Sequence, residues 1–551
     1  RSICSSIRCS CSESGTESSS SSVAGAPRLA PRPELVPLSA AQQRLYFLHR
    51  LDPDGVEYLM PAAWRFTGPL DTAALDGAVR DLVGRHEQLR VVFTEEDGVP
   101  AQRVLDGEPA GLDVVELPAA VREGGADALA AAVREVAAQP FDLASEPGFR
   151  AVLLRVADDD HVLVLALHHI VADGWSLDVL LRDLAAFHRA RVEGTDAALP
   201  ALPIAYTDYA VWQRGSDHGD DLAYWRRTLA GLTPLELPTD RPRPAERSYT
   251  GALHTVELPE ELTRRLRALG ERLDATTYMT LMSAFQATLA FHSGQDDIAI
   301  GTVVANRERP ETEQLAGFFV NTLVVRTDLS GDPTGDELLG RTRESVLGAL
   351  SHQSLPFEKV VDELSPERDL GRNPLFQVLF THTPVSSGVF RLGETAGTAF
   401  PIDLTTAKFD FTLDVLEGDG RIALRFVYRP DLFTEESVSR FAAHLVAVLR
   451  AFVRVPSVPL SEMALLTDEE IGELLGPDGP ANRPALPEVG AGPETAESAA
   501  PRGALERFAE QVRRAPDAVA VSGGGRSLTY GELDAAPDRH TPSSATASSG
   551  P

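Results

Sequence analysis

A chain of 551 residues with a formal charge of −30 and a pI near 4.8 exceeds one ordinary compact core, so a large two-lobed body or several domains are expected. The acidic balance excludes broad electrostatic attraction to nucleic acid or anionic membrane, and any basic docking site has to be local. With 43% hydrophobic residues and no run near the ~18 apolar residues of a membrane span, the chain reads as a soluble cytoplasmic protein.

Residues 1–33 are rich in Ser, Pro and Gly without periodicity, the composition of a solvated leader. This leader holds all three cysteines, Cys4, Cys9 and Cys11. The rest of the chain therefore offers neither a disulfide nor a cysteine nucleophile, which suits a reducing compartment. A metal site on these cysteines is set aside, because a short disordered stretch fixes no ligand geometry. The chain opens on Arg1 rather than Met, contains only two lysines, Lys359 and Lys408, and ends in Ser, Thr, Pro and Gly. It reads as a segment of something longer.

Patterned sequence runs from Leu35 to about Leu475. Amphipathic helices are predicted over residues 70–86, 126–138, 260–273 and 437–452. Strands are predicted over 152–156 and 162–167 around the turn Asp158-Asp159-Asp160, followed by a helix carrying Leu177, Leu180, Leu181, Leu184 and Ala185 at helical spacing. Ser176 stands where its N-cap is expected. Strands alternating with helices argue an α/β fold. Between about Pro477 and Ala500 the dominance of Pro, Gly, Ala and Glu marks a linker. A helix over 503–513, then a strand and turn at 517–521 and 527–533, follow, too short to build a core.

The sharpest local feature is His168-His169-Ile170-Val171-Ala172-Asp173-Gly174 at the exit of a buried strand. Histidine is the side chain best suited to proton transfer near neutral pH. Successive strand side chains face opposite ways, so one of the pair looks into a cleft while its neighbour packs inward. Asp173 can hold backbone or an arginine, and Gly174 permits a tight turn into the helix. Taken alone, this pattern leaves two buried structural histidines as the better explanation. Gly174-Trp175-Ser176-Leu177-Asp178 is one residue short of a serine nucleophile elbow, and His86-Glu87-Gln88-Leu89-Arg90 lacks the second histidine of a zinc-protease helix. No metal site is expected.

The histidine pattern resembles the HHxxxDG signature of nonribosomal peptide synthetase condensation domains, and it stands among that family's other motifs in order. Leu38 to Leu48 resembles the opening motif, Arg85 to Arg90 the second and Tyr206 to Trp212 the fourth. Ile300 to Arg307 with Gly317 to Thr322 resembles the fifth. His352 to Lys359 and Arg368 to Phe376 resemble the last two. The likeness covers roughly residues 34–470. It implies two chloramphenicol-acetyltransferase-like lobes in a V-shaped pseudo-dimer with a central tunnel, the lobes spanning 34–205 and 206–475. A linker, 476–502, would follow, and then a truncated adenylation-domain start and tail, 503–551.

The resemblance further implies that upstream and downstream carrier proteins dock at the two mouths, each inserting a 4'-phosphopantetheine arm, and that an adenylation domain is adjacent. No cofactor is expected on the chain itself, nor any phosphopantetheine on Ser527. His169 is the histidine facing the tunnel, acting as base or as a group that positions the amine. His168 packs inward, and Asp173 is expected to hold its loop by pairing with Arg85 or Arg90. Trp175, Ser176 and Asn321 are tunnel candidates. Epimerisation domains share the motif, but the order of segments favours condensation. Heterocyclisation relatives carry aspartate where this chain has His168, and a non-catalytic carrier-binding platform is the alternative outside enzymes. The motif surroundings look closer to the subtype joining two L-residues.

Overall fold

The computed structural model describes residues 32–33, 35–245, 247–364, 371–385, 388–402, 404–463, 466–475, 511–523 and 526–531. The chain divides into two units, Arg1–Glu470 and Ile471–Pro551. The cysteines, the linker at 476–502 and most of the helix expected at 503–513 lie outside the described residues. In the second unit Val519–Gly523 and Arg526–Thr529 form an antiparallel ribbon, where the sequence predicts a strand and a turn.

The first unit is built on two six-stranded sheets, with a smaller sheet of Val36–Pro37, Val99–Val104 and Val91–Glu96 beside them in the chain. The strands of the two larger sheets are β1 (Leu59–Thr67), β2 (Asp113–Glu116), β3 (Phe149–Ala157), β4 (Asp160–His168), β5 (Ala252–Glu257), β6 (Asp297–Val304), β7 (Asn321–Asp328), β8 (Val378–Pro384), β9 (Val389–Leu392), β10 (Thr395–Ala399), β11 (Phe411–Gly418) and β12 (Arg421–Tyr428). Its main helices are α1 (Ala40–Leu51), α2 (Thr72–Arg85), α3 (Gly125–Ala137), α4 (Gly174–Glu193), α5 (Glu260–Arg272), α6 (Thr277–Ser293), α7 (Gly335–Ser351) and α8 (Glu435–Arg454).

The first sheet runs β9-β10-β1-β4-β3-β2 and the second β7-β6-β8-β11-β12-β5. Both are mixed: β2 lies parallel to β3, and β8 lies parallel to both β6 and β11. Neither sheet is a closed barrel. Strands β9 and β10 come from late in the chain, yet they extend the first sheet through pairs such as Gly397 with Phe66 and Ala399 with Trp64. The two halves are therefore not consecutive blocks of sequence.

β4 shows why its sequence becomes a central strand. Along it Leu163, Leu165 and Leu167 pack with Leu75, Val79 and Leu82 of α2 and Leu180 and Leu184 of α4. The alternate residues Val162 and Val164 pack on the other face with Leu129 and Val133 of α3. A run apolar at both parities is buried on both sides. At ~25 cal/mol per Å² of apolar surface, each such Leu or Val contributes on the order of 2 kcal/mol.

In the second half α6 is apolar on all faces and buried nearly throughout. Its interior Gln286 is satisfied by Thr327 and Thr342. Gly301 lets β6 pass Phe376, whose ring would lie 2.0 Å from an added Cβ. Helix α2 begins two residues later than the hydrophobic pattern suggests, because the Asp71 carboxylate caps it by accepting from Ala74 N–H. Arg32, within the expected leader, is ion-paired to Glu87 and Asp208. Composition alone carries no sign of that anchor.

Candidate active site

A cavity of about 2470 Å³ is lined from both halves of the first unit. Tyr58, His169, Gly174 and Trp175 come from the first half, while Arg247, Asn321, Phe318 and Lys408 come from the second.

The end of β4 is pinned on both sides. His168 N–H donates to Gly148 O, 2.9 Å, and His169 N–H to Tyr58 O, 2.8 Å. Beyond it the chain turns tightly, with Val171 N–H donating to His168 O and Ala172 N–H to His169 O. The two imidazoles consequently diverge. His168 is buried, accepts from Ile170 N–H at Nδ1, 3.0 Å, and meets the His49 ring edge-on. Burial pushes its pKa down to about 3, with positive His49 and Lys408 adding to the effect. It does not line the cavity.

His169 does line it. Its Nδ1 lies 3.2 Å from Ala172 O. A carbonyl oxygen only accepts, so Nδ1 carries the hydrogen and Nε2 keeps a free lone pair. Burial holds its pKa well below the ordinary 6.5, and the Lys408 and His168 charges push in the same direction. His169 is a neutral acceptor at physiological pH, its ring flanked by Phe318 at 5.6 Å.

Asp173 corrects one expectation: it pairs with neither Arg85 nor Arg90. Its partner is the fully enclosed Arg307, Nη2 to Oδ1 3.0 Å. Arg85 is bound instead to Asp183, 2.9 Å, and Arg90 to Leu105 O. Asp173 sits at the start of α4 and Asp183 ten residues along it, about 15 Å at 1.5 Å per residue, so Arg85 reaches the wrong end for Asp173. The Asp173 carboxylate also accepts from Ser176 N–H, Ser176 Oγ–H and Phe319 N–H. It thereby clamps the motif loop to the second half.

Two further expectations are revised. Ser176 is not the N-cap, because Asp173 occupies that position and Ser176 is the third helical residue. Both residue types cap well, and a one-dimensional pattern does not separate them. Nor does Ser176 line the cavity: it is buried, with Oγ accepting from Gly317 N–H. Gly174 opens α4 with φ outside the left-handed region, so the turn does not demand glycine there. An added Cβ would meet nothing within 4 Å, and Gly174 faces the cavity.

Trp175 lines the cavity while its indole N–H donates to Glu313 O, 2.9 Å. Asn321 lines it too, but its amide is spent on Gln353 O and Leu355 O and its oxygen on Phe357 N–H. Asn321 is thus held as a structural cross-link. Sequence reasoning missed Arg307, Phe318 and Lys408 as site residues. Lys408 was marked only by its rarity and its place in the apolar Ala407-Lys408-Phe409 context.

Two mixed sheets, with the second histidine of a paired motif on the wall of the cavity they share, make the architecture of a condensation domain. The family described as Condensation domain matches residues 33–475, and the chain belongs to it. A linear gramicidin synthase polypeptide of Brevibacillus parabrevis is 41% identical over 514 residues, covering 91% of this chain but 10% of that protein. The chain thus spans about a tenth of that relative's length. The X-domain from teicoplanin biosynthesis superposes with a TM-score of 0.73 at 30% identity over 80% of this chain and 100% of its own. Holo-AB3403, a four-domain nonribosomal peptide synthetase, gives 0.71 at 23% identity over 90% and 38%, a likeness of fold.

Proposed function

We propose that the chain forms an amide bond between an upstream carrier-bound acyl or peptidyl thioester and the amine of a downstream carrier-bound aminoacyl thioester. The observation that carries this reading is the His169 geometry: Nδ1–H anchored on Ala172 O, Nε2 unprotonated, and the ring on the cavity wall.

The depressed basicity of His169 supports a positioning role with late proton removal. A free α-amine has a pKa of ~8, so part of it is already neutral near pH 7.5 and needs no strong base. Nε2 accepts a hydrogen bond from that amine and aims its lone pair at the thioester carbonyl carbon. As the C–N bond forms, the nitrogen becomes strongly acidic and its proton passes to Nε2. Collapse of the tetrahedral intermediate re-forms the carbonyl, breaks the C–S bond, and returns the proton to the departing thiolate. The carriers' phosphopantetheine arms are substrates here, not resident cofactors. The resemblance to the L-joining subtype supports an L-configured donor.

The test is a single-turnover reaction with two loaded carriers read by mass spectrometry. His169→Ala is expected to slow amide formation by about 10²–10⁴-fold, the usual range for a positioned proton-transfer group, while the chain stays folded. Amide formation at the wild-type rate in that variant would remove His169 from the mechanism. The X-domain likeness, and the solved complex of that X-domain with OxyB, support a second reading as a docking platform. No amide product from any loaded pair, with carriers still bound, would favour it.

A further inference from the structure

Two cations on the cavity wall, Arg247 and Lys408, form no ion pair with a carboxylate among the described residues. Arg247 donates one bond, from Nη1 to Asn373 Oδ1, while its Nε and Nη2 are buried with no hydrogen-bond partner. Lys408 holds its ammonium 4.9 Å from the centre of the Tyr58 ring. Among the described residues that ammonium forms no ion pair.

The two are held as a unit. Asn373 accepts from Arg247 and donates to Lys408 O, 3.1 Å, and Ala407 N–H donates to Tyr249 O, 2.9 Å. The remaining charges do not balance them. Arg44 adds a third cation, answered by Glu358 at 3.7 Å. Glu57 is buried and acts on both Arg247 and Lys408, but it offers one negative charge against two positive ones. Arg243 and Arg429 claim Asp410.

We infer that Arg247 and Lys408 form an anion subsite in the cavity wall, which selects an acyl or aminoacyl group bearing a side-chain carboxylate. This rests on the amide-forming reading above. The α-carboxyl groups of both substrates are tied up as thioesters, so an anion at this position has to come from a side chain or a dicarboxylic acyl group. Tyr58, whose ring the Lys408 ammonium approaches, also accepts from His169 N–H through its carbonyl, and all three residues line the same cavity, so the subsite lies on the wall that carries His169. The phosphate of a carrier arm is separated from its thioester by two amide-linked units and belongs nearer a mouth.

The experiment pairs carriers loaded with glutamyl or glutaminyl groups, as donor and separately as acceptor, each against an alanyl partner. The glutamyl group is expected to react about tenfold faster or more than its neutral isostere on one of the two sides, the discrimination typical of a charge-assisted hydrogen bond. Arg247→Gln and Lys408→Met should each bring that ratio toward one, and Arg247→Lys should keep part of it. Equal rates for the two groups on both sides in the wild type would overturn the subsite. So would Arg247→Gln slowing both groups equally, which would mean general stabilisation of the reacting oxygen. Absence of condensation with every pair, alanyl–alanyl included, would overturn the amide-forming reading and the subsite with it.

Discussion

Replacing Asp173 with alanine removes one carboxylate that serves two halves of the molecule. Arg307 is left buried with its charge opposed by the carbonyls of Thr312, Leu315 and Gly317, 2.6, 2.8 and 3.5 Å away, and by Ser176 Oγ. Removing one partner of a buried pair costs about 3–5 kcal/mol, and the surviving carbonyls place this case near 3. Loss of the α4 cap adds about 1 kcal/mol. The expected total is therefore about 4 kcal/mol. Arg307→Met leaves the carboxylate without its cation, held only by Ser176 and the Phe319 N–H, and should cost about 3 kcal/mol. The double variant should cost less than the two singles together, by up to about 3 kcal/mol. Unfolding free energies of the full chain from urea titration test this cycle. Additivity within about 0.5 kcal/mol would refute the pairing.

Two further predictions concern the same region. His168 has a folded-state pKa of about 3 against an ordinary 6.5, so the unfolded chain takes up the proton first. The stability held by neutral His168 is complete above pH 6.5 and is lost as pH falls toward 3. His168→Asn, which keeps an acceptor for Ile170 N–H, should flatten the dependence of urea midpoint on pH in that interval; an unchanged slope would mean His168 is not the titrating group. Gly317→Ala should destabilise by about 1–3 kcal/mol through overpacking, because an added Cβ would lie 2.0 Å from the buried Tyr206 ring. An unaltered melting temperature would contradict that packing.

Local pattern carried much of the fold. The helices predicted at 126–138, 260–273 and 437–452 appear as Gly125–Ala137, Glu260–Arg272 and Glu435–Arg454, since each alternates apolar and polar residues at helical period. The strand at 162–167 became β4 because its apolar run is short and bounded by the Asp158–Asp160 turn on one side and the histidine pair on the other. What failed was long-range pairing. Asp173 and Arg307 are 134 residues apart, and arginines much nearer in sequence looked equally suitable. Nothing local in residues 389–399 indicates that they join the first sheet. Ser176 was misread because a cap is defined by which amide a side chain reaches, a three-dimensional property.

The β9–β10 hairpin has a mechanical consequence. With it removed, the edge of β1 would stand bare, a row of unpaired amides and carbonyls beside Trp64 and Phe66 that invites association with other chains. Fragments divided near residue 205 would each lack material that the other holds. The halves are interlocked, and drawing them apart means peeling a hydrogen-bonded ladder that includes Gly397 to Ala399 against Trp64 to Phe66.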